Sequence, residues 1–292
     1  MKIAFAWKWW AWKTTLSSIV IDKISKKNNV LALDLDSNVN LANAIWFNNT
    51  SNLISFWNKK EEVMNYTWST SMIDWENRIY LPNENDWFYD FNSSFINNYS
   101  ISKNNIKLMS LWFIEDDKRW IESMCDYYEM SKVFINHINL NNNEYLIADL
   151  AAWVEMISRA TVMSFDLIFV VTDANFKNLK VTRQILKWLE LTWFNKQEIC
   201  IITNKYLSNN DLDLIKKEFT DYNIINWMPY NDELYEVDSN NNITENNIDW
   251  LNIVTDKIVD YIYYFNDNTK KDINYIYNRI DKLDKIKNNF LK

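Results

Sequence analysis

Ala6-Trp7-Lys8-Trp9-Trp10-Ala11-Trp12-Lys13-Thr14-Thr15 follows the first apolar run and opens a helical pattern. Read with glycine at 7, 9, 10 and 12, it is G-K-G-G-A-G-K-T-T, a complete phosphate-binding loop. In such a loop, backbone N–H groups and a helix N-terminus point at phosphate oxygens. Lys13 would reach the β- and γ-phosphates and Thr14 would place its hydroxyl on Mg²⁺. A second group, Tyr145-Leu146-Ile147-Ala148-Asp149, ends an apolar run on a carboxylate. After a phosphate loop, that position suits a Mg²⁺ contact, direct or through water. Leu33-Asp34-Leu35-Asp36 ends another apolar run with two carboxylates, which could also cap a following helix.

Composition decides how the loop is read. At about 7% usage a chain this long should hold roughly 20 glycines, yet its 292 residues include none, against 16 tryptophans. The tryptophans stand where glycine is demanded. Trp193, in Leu191-Thr192-Trp193-Phe194-Asn195, and Trp46, in Ala44-Ile45-Trp46-Phe47, each end a helical pattern, the usual place of a left-handed C′ glycine. Systematic replacement of glycine explains both the count and the positions.

The remaining composition narrows the class. A net charge of −8 argues against non-specific nucleic-acid binding, which needs a basic face. Two cysteines, Cys125 and Cys200, are too few for a disulfide framework and fit a reducing cytosol. No apolar run approaches 18 residues, so no membrane span is expected. Asparagine runs at 141–143 and 240–242 read as polar loops.

The elements that would position these groups alternate short apolar runs with helical patterns. This is the mark of βαβ units and of a doubly wound, mostly parallel α/β sheet. Strands are expected at Lys2–Ala6, Val30–Asp34, Ile106–Leu111, Tyr145–Asp149, Leu167–Thr172, Ile199–Asn204 and Ile224–Ile225. Helices are expected at 14–27, 120–139, 155–164, 176–191, 210–220 and 247–265. Residues 1–265 would form the main domain, with an unassigned insert or lid at 50–105. Residues 266–292 read as a C-terminal amphipathic helix carrying Ile273, Ile276, Ile280, Leu283, Ile286 and Phe290 on one stripe. Asp272, Asp281 and Asp284 on its polar side count against membrane targeting.

The loop, with its lysine near the start, resembles the deviant Walker A motif of the MinD/ParA P-loop ATPases. This resemblance covers residues 1–48 and 106–262. It implies ATP and Mg²⁺ as ligands, ATP hydrolysis as the activity and a homodimer as the working unit. The nucleotide would lie on Trp7, Trp9, Trp10, Ala11, Trp12, Lys13, Thr14 and Thr15. Lys8 would reach across the dimer to the partner's nucleotide, and Asp36 would orient the attacking water, with Asp34 supporting it. Thr14, Asp36 and Asp149 would hold Mg²⁺. Asn204, in Ile201-Ile202-Thr203-Asn204-Lys205, would recognise adenine, with Pro229 of Met228-Pro229-Tyr230 beside the base. Trp153 stands at a glycine that senses the γ-phosphate.

The run Ala151–Ala160 is similar to the CooC-like branch, which matures the nickel site of carbon monoxide dehydrogenase. A metalloenzyme client and a nickel or zinc ion bridged by Cys125 across a dimer would follow. That branch has a C-x-C pair where this chain has Ser123-Met124-Cys125, and a Glu where Ala151 stands. His137, among apolar neighbours, reads as structural. A MinD- or ParA-like positioning ATPase is the alternative function.

Taken literally, the tryptophans forbid the activity. Indoles at 9, 10 and 12 fill the space meant for phosphate, and the printed chain is expected neither to bind nor to hydrolyse ATP. Overpacking of about 1–3 kcal/mol per site, repeated along the chain, rivals the roughly 5–15 kcal/mol that holds a domain together. Poor folding is expected, with strained backbone at Trp9, Trp10, Trp12 and Trp153. A third reading is therefore a substituted sequence with no biochemical function.

Overall fold

In a computed structural model, the described residues are 1–6, 13–36, 39–47, 50, 52–55, 59–67, 89–111, 124–150, 155–158, 161–230, 249–269 and 278. Seven apolar runs become the parallel strands β1 (Lys2–Ala6), β2 (Asn29–Leu35), β5 (Ile106–Ser110), β7 (Glu144–Leu150), β8 (Leu167–Thr172), β9 (Ile199–Tyr206) and β10 (Asn223–Pro229). The order across the sheet is β10-β9-β8-β1-β7-β2-β5-β4. Every neighbouring pair is parallel except the edge strand β4 (Ile101–Lys103), which runs antiparallel to β5. The expected doubly wound α/β sheet is therefore present.

Both faces are covered, which is why the central strands are apolar throughout rather than alternating. On one face Ile3, Phe5, Val30, Ala32, Ile147 and Phe169 pack with α1 (Lys13–Ser25) and with α9 (Asp249–Asn268). On the other, Ala4, Leu31, Leu146, Ile168 and Ile201 pack with α5 (Met124–Asn136), α7 (Phe176–Leu191) and α8 (Asn209–Glu218).

Several boundaries differ from the sequence expectation. The helix expected over 120–139 ends at Asn136, and Ile138–Asn139 form β6, paired in parallel with β3 (Tyr89–Asp90). The Tyr89 N–H donates to the His137 carbonyl at 2.8 Å, so tertiary pairing takes the two residues that periodicity assigned to the helix. The helix expected over 155–164 divides into α6 (Glu155–Ser158) and a 3₁₀ turn at Thr161–Ser164. Within 50–105, α3 (Lys60–Tyr66), α4 (Ser94–Tyr99), β3 and β4 are ordered elements, and α2 (Leu41–Ala44) precedes them. The last helix runs on to Asn268. The stripe from Ile273 to Phe290 lies outside the described residues, as do Trp153 and the loop from Trp7 to Trp12.

The two tryptophans expected at glycine positions are described. Trp46 has φ 56° and Trp193 has φ 67°, left-handed values that are outliers for a bulky side chain. Both close complete Schellman motifs. Trp46 N–H donates to Asn43 O at 3.1 Å and Phe47 N–H to Ala42 O at 3.0 Å. Trp193 N–H donates to Glu190 O and Phe194 N–H to Leu189 O, each at 3.0 Å. The buried Phe47 and Phe194 supply the apolar contact that accompanies the motif. Trp193 is 40% exposed, so its indole recovers little of the strain. Trp193→Gly is expected to raise stability by about 1–2 kcal/mol, the strain of one left-handed residue. A urea midpoint that stays put or falls would contradict this.

Candidate functional site

The strand order places β1 beside β7, and β7 beside β2, so three chemistry-bearing chain ends emerge side by side. Asp34 and Asp149 are register partners on adjacent strands. Each shares a side of the sheet with the residues that pack on α1, whose first residues are Lys13 and Thr14.

Lys13 is the hub. Its Nζ lies 3.0 Å from Asp36 Oδ2 and 3.2 Å from Asp149 Oδ1, and donates to the Leu150 carbonyl. Thr14 Oγ1 donates to Asp149 Oδ2 at 2.6 Å. Burial alone would push the Lys13 ammonium down, but Asp149 and Asp36 outweigh it and hold it above its ordinary value. Asp149 is pushed up by burial, against the pull of Lys13 and Thr14. Asp34 is fully buried, and burial followed by the nearby Asp149 charge raises its carboxyl to about 7, against two backbone N–H donors. One ammonium thus faces three carboxylates. Asp149 Oδ1 is buried and has the Lys13 ammonium at 3.2 Å against it.

Of the expected site residues, Lys13, Thr14, Asp36 and Asp149 are therefore brought together. Thr15 is buried in the first turn of α1. Trp7, Lys8, Trp9, Trp10, Ala11 and Trp12 lie outside the described residues. Asp34 does what the capping alternative assigned to a carboxylate, accepting the N–H of Leu41, the first residue of α2, at 2.9 Å. Asp36 instead faces Lys13.

A second cluster lies at the ends of β9 and β10. Asn204 is 1% exposed, and neither side-chain oxygen nor nitrogen has a partner among the described residues. Asn204 pairs in register with Met228, and Pro229 with Tyr206. The following Lys205 has φ 51°. An unsatisfied buried amide with one donor and one acceptor face is costly unless something binds it.

Other candidates separate from the site. Cys125 lies in the first turn of α5, with its side chain outside the described residues. Among the described residues no group of three or more His, Cys, Asp or Glu is arranged to hold a metal on its own. His137 is buried with Nδ1 2.7 Å from the Val133 carbonyl. That carbonyl only accepts, so Nδ1 carries the proton. Cys200 is fully buried in β9, and burial pushes its thiol well above the ordinary range. Its raised pKa contributes stability below the unfolded thiol pKa, about 8.5, which is lost as pH rises above it because only the unfolded chain ionises. Cys200→Val is expected to lose less stability than the parent between pH 7.5 and 10 in urea titrations; equal losses would refute the assignment. No helix among the described residues is long and apolar enough to cross a membrane.

No protein-family profile matches the chain. Two uncharacterized ATP-binding proteins of Methanocaldococcus jannaschii are similar to it. One is 30% identical over 110 residues, 36% of this chain and 43% of its own, so the chain spans less than half of that relative. The other is 23% identical over 236 residues, 80% of this chain and 90% of its own. Among solved structures, a ParA family ATPase from Chlorobium tepidum matches with TM-score 0.60 and 15% identity, over 87% of this chain and 97% of its own. A McdA variant of Cyanothece in complex with ATP gives 0.60 and 14%, over 90% and 96%. The MinC:MinD cell division complex of Aquifex aeolicus gives 0.57 and 13%, over 93% and 98%. At these identities the likeness is one of fold. The chain has the MinD/ParA-type P-loop ATPase fold.

Proposed function

We propose that this protein is an ATP-driven switch, and that its working form carries glycine where tryptophan is printed. The observation that carries the first part is the charge imbalance around Lys13. The Lys13 ammonium is ion-paired to both Asp36 and Asp149, with the Asp34 carboxyl close enough to feel the same charges, so acidic groups outnumber the one cation, an excess that a divalent cation would offset. Thr14, Asp36 and Asp149 would hold Mg²⁺, which when bound offsets phosphate charge and keeps waters and phosphate oxygens in its shell.

The chain's own residues then divide the work. Lys13 would leave the carboxylates for the β- and γ-phosphates. Asp36 would orient the water that attacks the γ-phosphorus as the bond to the bridging oxygen breaks, giving ADP and phosphate. Asn204 would pair with the polar edge of adenine, with Pro229 beside the ring. β9 lies two strands from β1, about 10 Å at the usual ~4.8 Å spacing, within the span of a nucleotide. Lys8 would act across a homodimer. The test is Mg²⁺-dependent ATP binding by the glycine-bearing protein, lost in Asp149→Ala; no binding by the parent would overturn the reading.

The second part rests on Trp46 and Trp193, two Schellman C′ positions that only glycine fills without strain. A chain with no glycine and tryptophan in its places is what results when one codon is printed as tryptophan but read as glycine by the cell. Trp227 is the demanding position. It is fully buried, and its indole N–H donates to Thr255 Oγ1 at 3.3 Å, so glycine there leaves space between β10 and α9. Peptide masses of the protein from its own cells decide the matter at all 16 positions. Tryptophan masses at 46 and 193 would sink it.

For the client, the MinD and ParA names of the structural neighbours support a positioning ATPase. The Ala151–Ala160 run and Cys125 support the other reading, metallocentre maturation. Nickel and zinc titration of the glycine-bearing dimer, with and without Cys125→Ser, separates them: stoichiometric binding that needs Cys125 favours maturation, and its absence favours positioning.

A further inference from the structure

Asp34 is the buried carboxylate that the catalytic scheme above leaves unused. Its two oxygens span the chain that leaves β2. Oδ1 accepts the Asp36 N–H at 3.1 Å, and Oδ2 accepts the Leu41 N–H at 2.9 Å. Its own backbone is pinned as well, because the Asp34 carbonyl accepts the Leu111 N–H at 2.9 Å. Between the two clipped amides stands Val39, with φ 48° and its N–H donating to Asp36 O at 3.1 Å. A β-branched residue in the left-handed region is strained, and such strain persists only where the surroundings over-determine it. Here the surroundings are the two oxygens of Asp34 on either side of it and the core on which the Val39 side chain packs. Asp36, held at the near end of this clip, is the group whose Oδ2 meets Lys13.

We infer that Asp34 is a positioning residue: its carboxylate clips Asp36 and Leu41 together and so sets where the Asp36 side chain stands relative to Lys13. Its role in turnover rests on the ATPase reading above, whereas its hold on the two amides does not. A clip that acts through another residue leaves nucleotide affinity alone and changes the rate of the step which that residue serves.

The experiment has two readouts, both for Asp34→Ala and Asp34→Asn. The first is amide hydrogen exchange in the nucleotide-free, glycine-bearing protein. Asp34→Ala is expected to speed exchange at Asp36 and Leu41 by about tenfold or more, the loss of roughly one net hydrogen bond each, with the β1 and β7 amides unchanged. Asp34→Asn keeps one acceptor oxygen and should leave one of the two amides protected. The second is ATP turnover by the glycine-bearing protein. Asp34→Ala should lower kcat by about tenfold or more while KM for ATP stays within about twofold, and Asp34→Asn should fall between. Unchanged exchange at both amides overturns the clip. So does a KM that rises as far as kcat falls, which would make Asp34 a nucleotide or metal contact. Absence of turnover in the glycine-bearing parent, with the exchange pattern intact, would sink the ATPase reading and leave the clip standing.

Discussion

Titrated with ATP and Mg²⁺, the chain carrying tryptophan at 7, 9, 10 and 12 is expected to show no saturable binding at millimolar nucleotide, while glycine at all 16 positions gives micromolar binding. The loop binds phosphate by curling its backbone so that successive N–H groups converge, a path that needs left-handed residues without a Cβ. Imposing that path on bulky residues costs about 1–2 kcal/mol each. Over four positions this is about 4–8 kcal/mol, or roughly three to six decades of affinity at ~1.4 kcal/mol per decade. The volume of the indoles adds to it. The same substitutions are expected to make the printed chain the less soluble of the two. Isothermal titration decides the matter: saturation of the printed chain would show that the cradle forms despite its side chains.

Lys13→Met in the nucleotide-free, glycine-bearing protein is expected to cost about 3 kcal/mol of stability, in the range for stranding one side of a buried ion pair. The side chains of Lys13 and Asp149 are 8% and 1% exposed, so water offers the stranded carboxylate little relief. Removing both partners in Lys13→Met/Asp149→Leu should cost less than the sum of the single changes, with a coupling of about 2 kcal/mol. Strict additivity in urea melts would mean that Lys13 and Asp149 do not depend on each other. ATP and Mg²⁺ should stabilise the parent by mass action and leave Lys13→Met unmoved, because the ammonium that meets the phosphates is gone.

Much of this was legible from residue types. β1, β8 and α7 fall on the expected residues because long apolar runs and a full helical period are strong local signals. β3 and β6 are two residues each, too short for any periodicity, and exist only because distant chain segments meet. Spacing alone does not separate the aspartates of Asp34-Leu35-Asp36, since residues two apart on a strand share a face; only the resemblance gave Asp36 the water and Asp34 a supporting role. What separates them is depth: Asp34 is fully buried on two backbone amides, while Asp36 reaches Lys13. Likewise Asn204 had an ordinary strand-end context, and its unsatisfied amide became visible only with its burial.

The short antiparallel strand β4 has a consequence for how copies of this chain can meet. An open sheet edge invites another chain to add a strand. At one end, β4 offers only three residues, with Ser102 and Lys103 exposed, and its reversed direction interrupts the parallel ladder. At the other, β10 slips register twice and finishes on Pro229, which has no N–H to give. Among the described residues, both ends of the sheet are thus poor templates for a shared ladder. Among the described residues, the surfaces left for self-association are the loops where the strands end and the helical faces, and a homodimer built there would open no route to fibrous assembly.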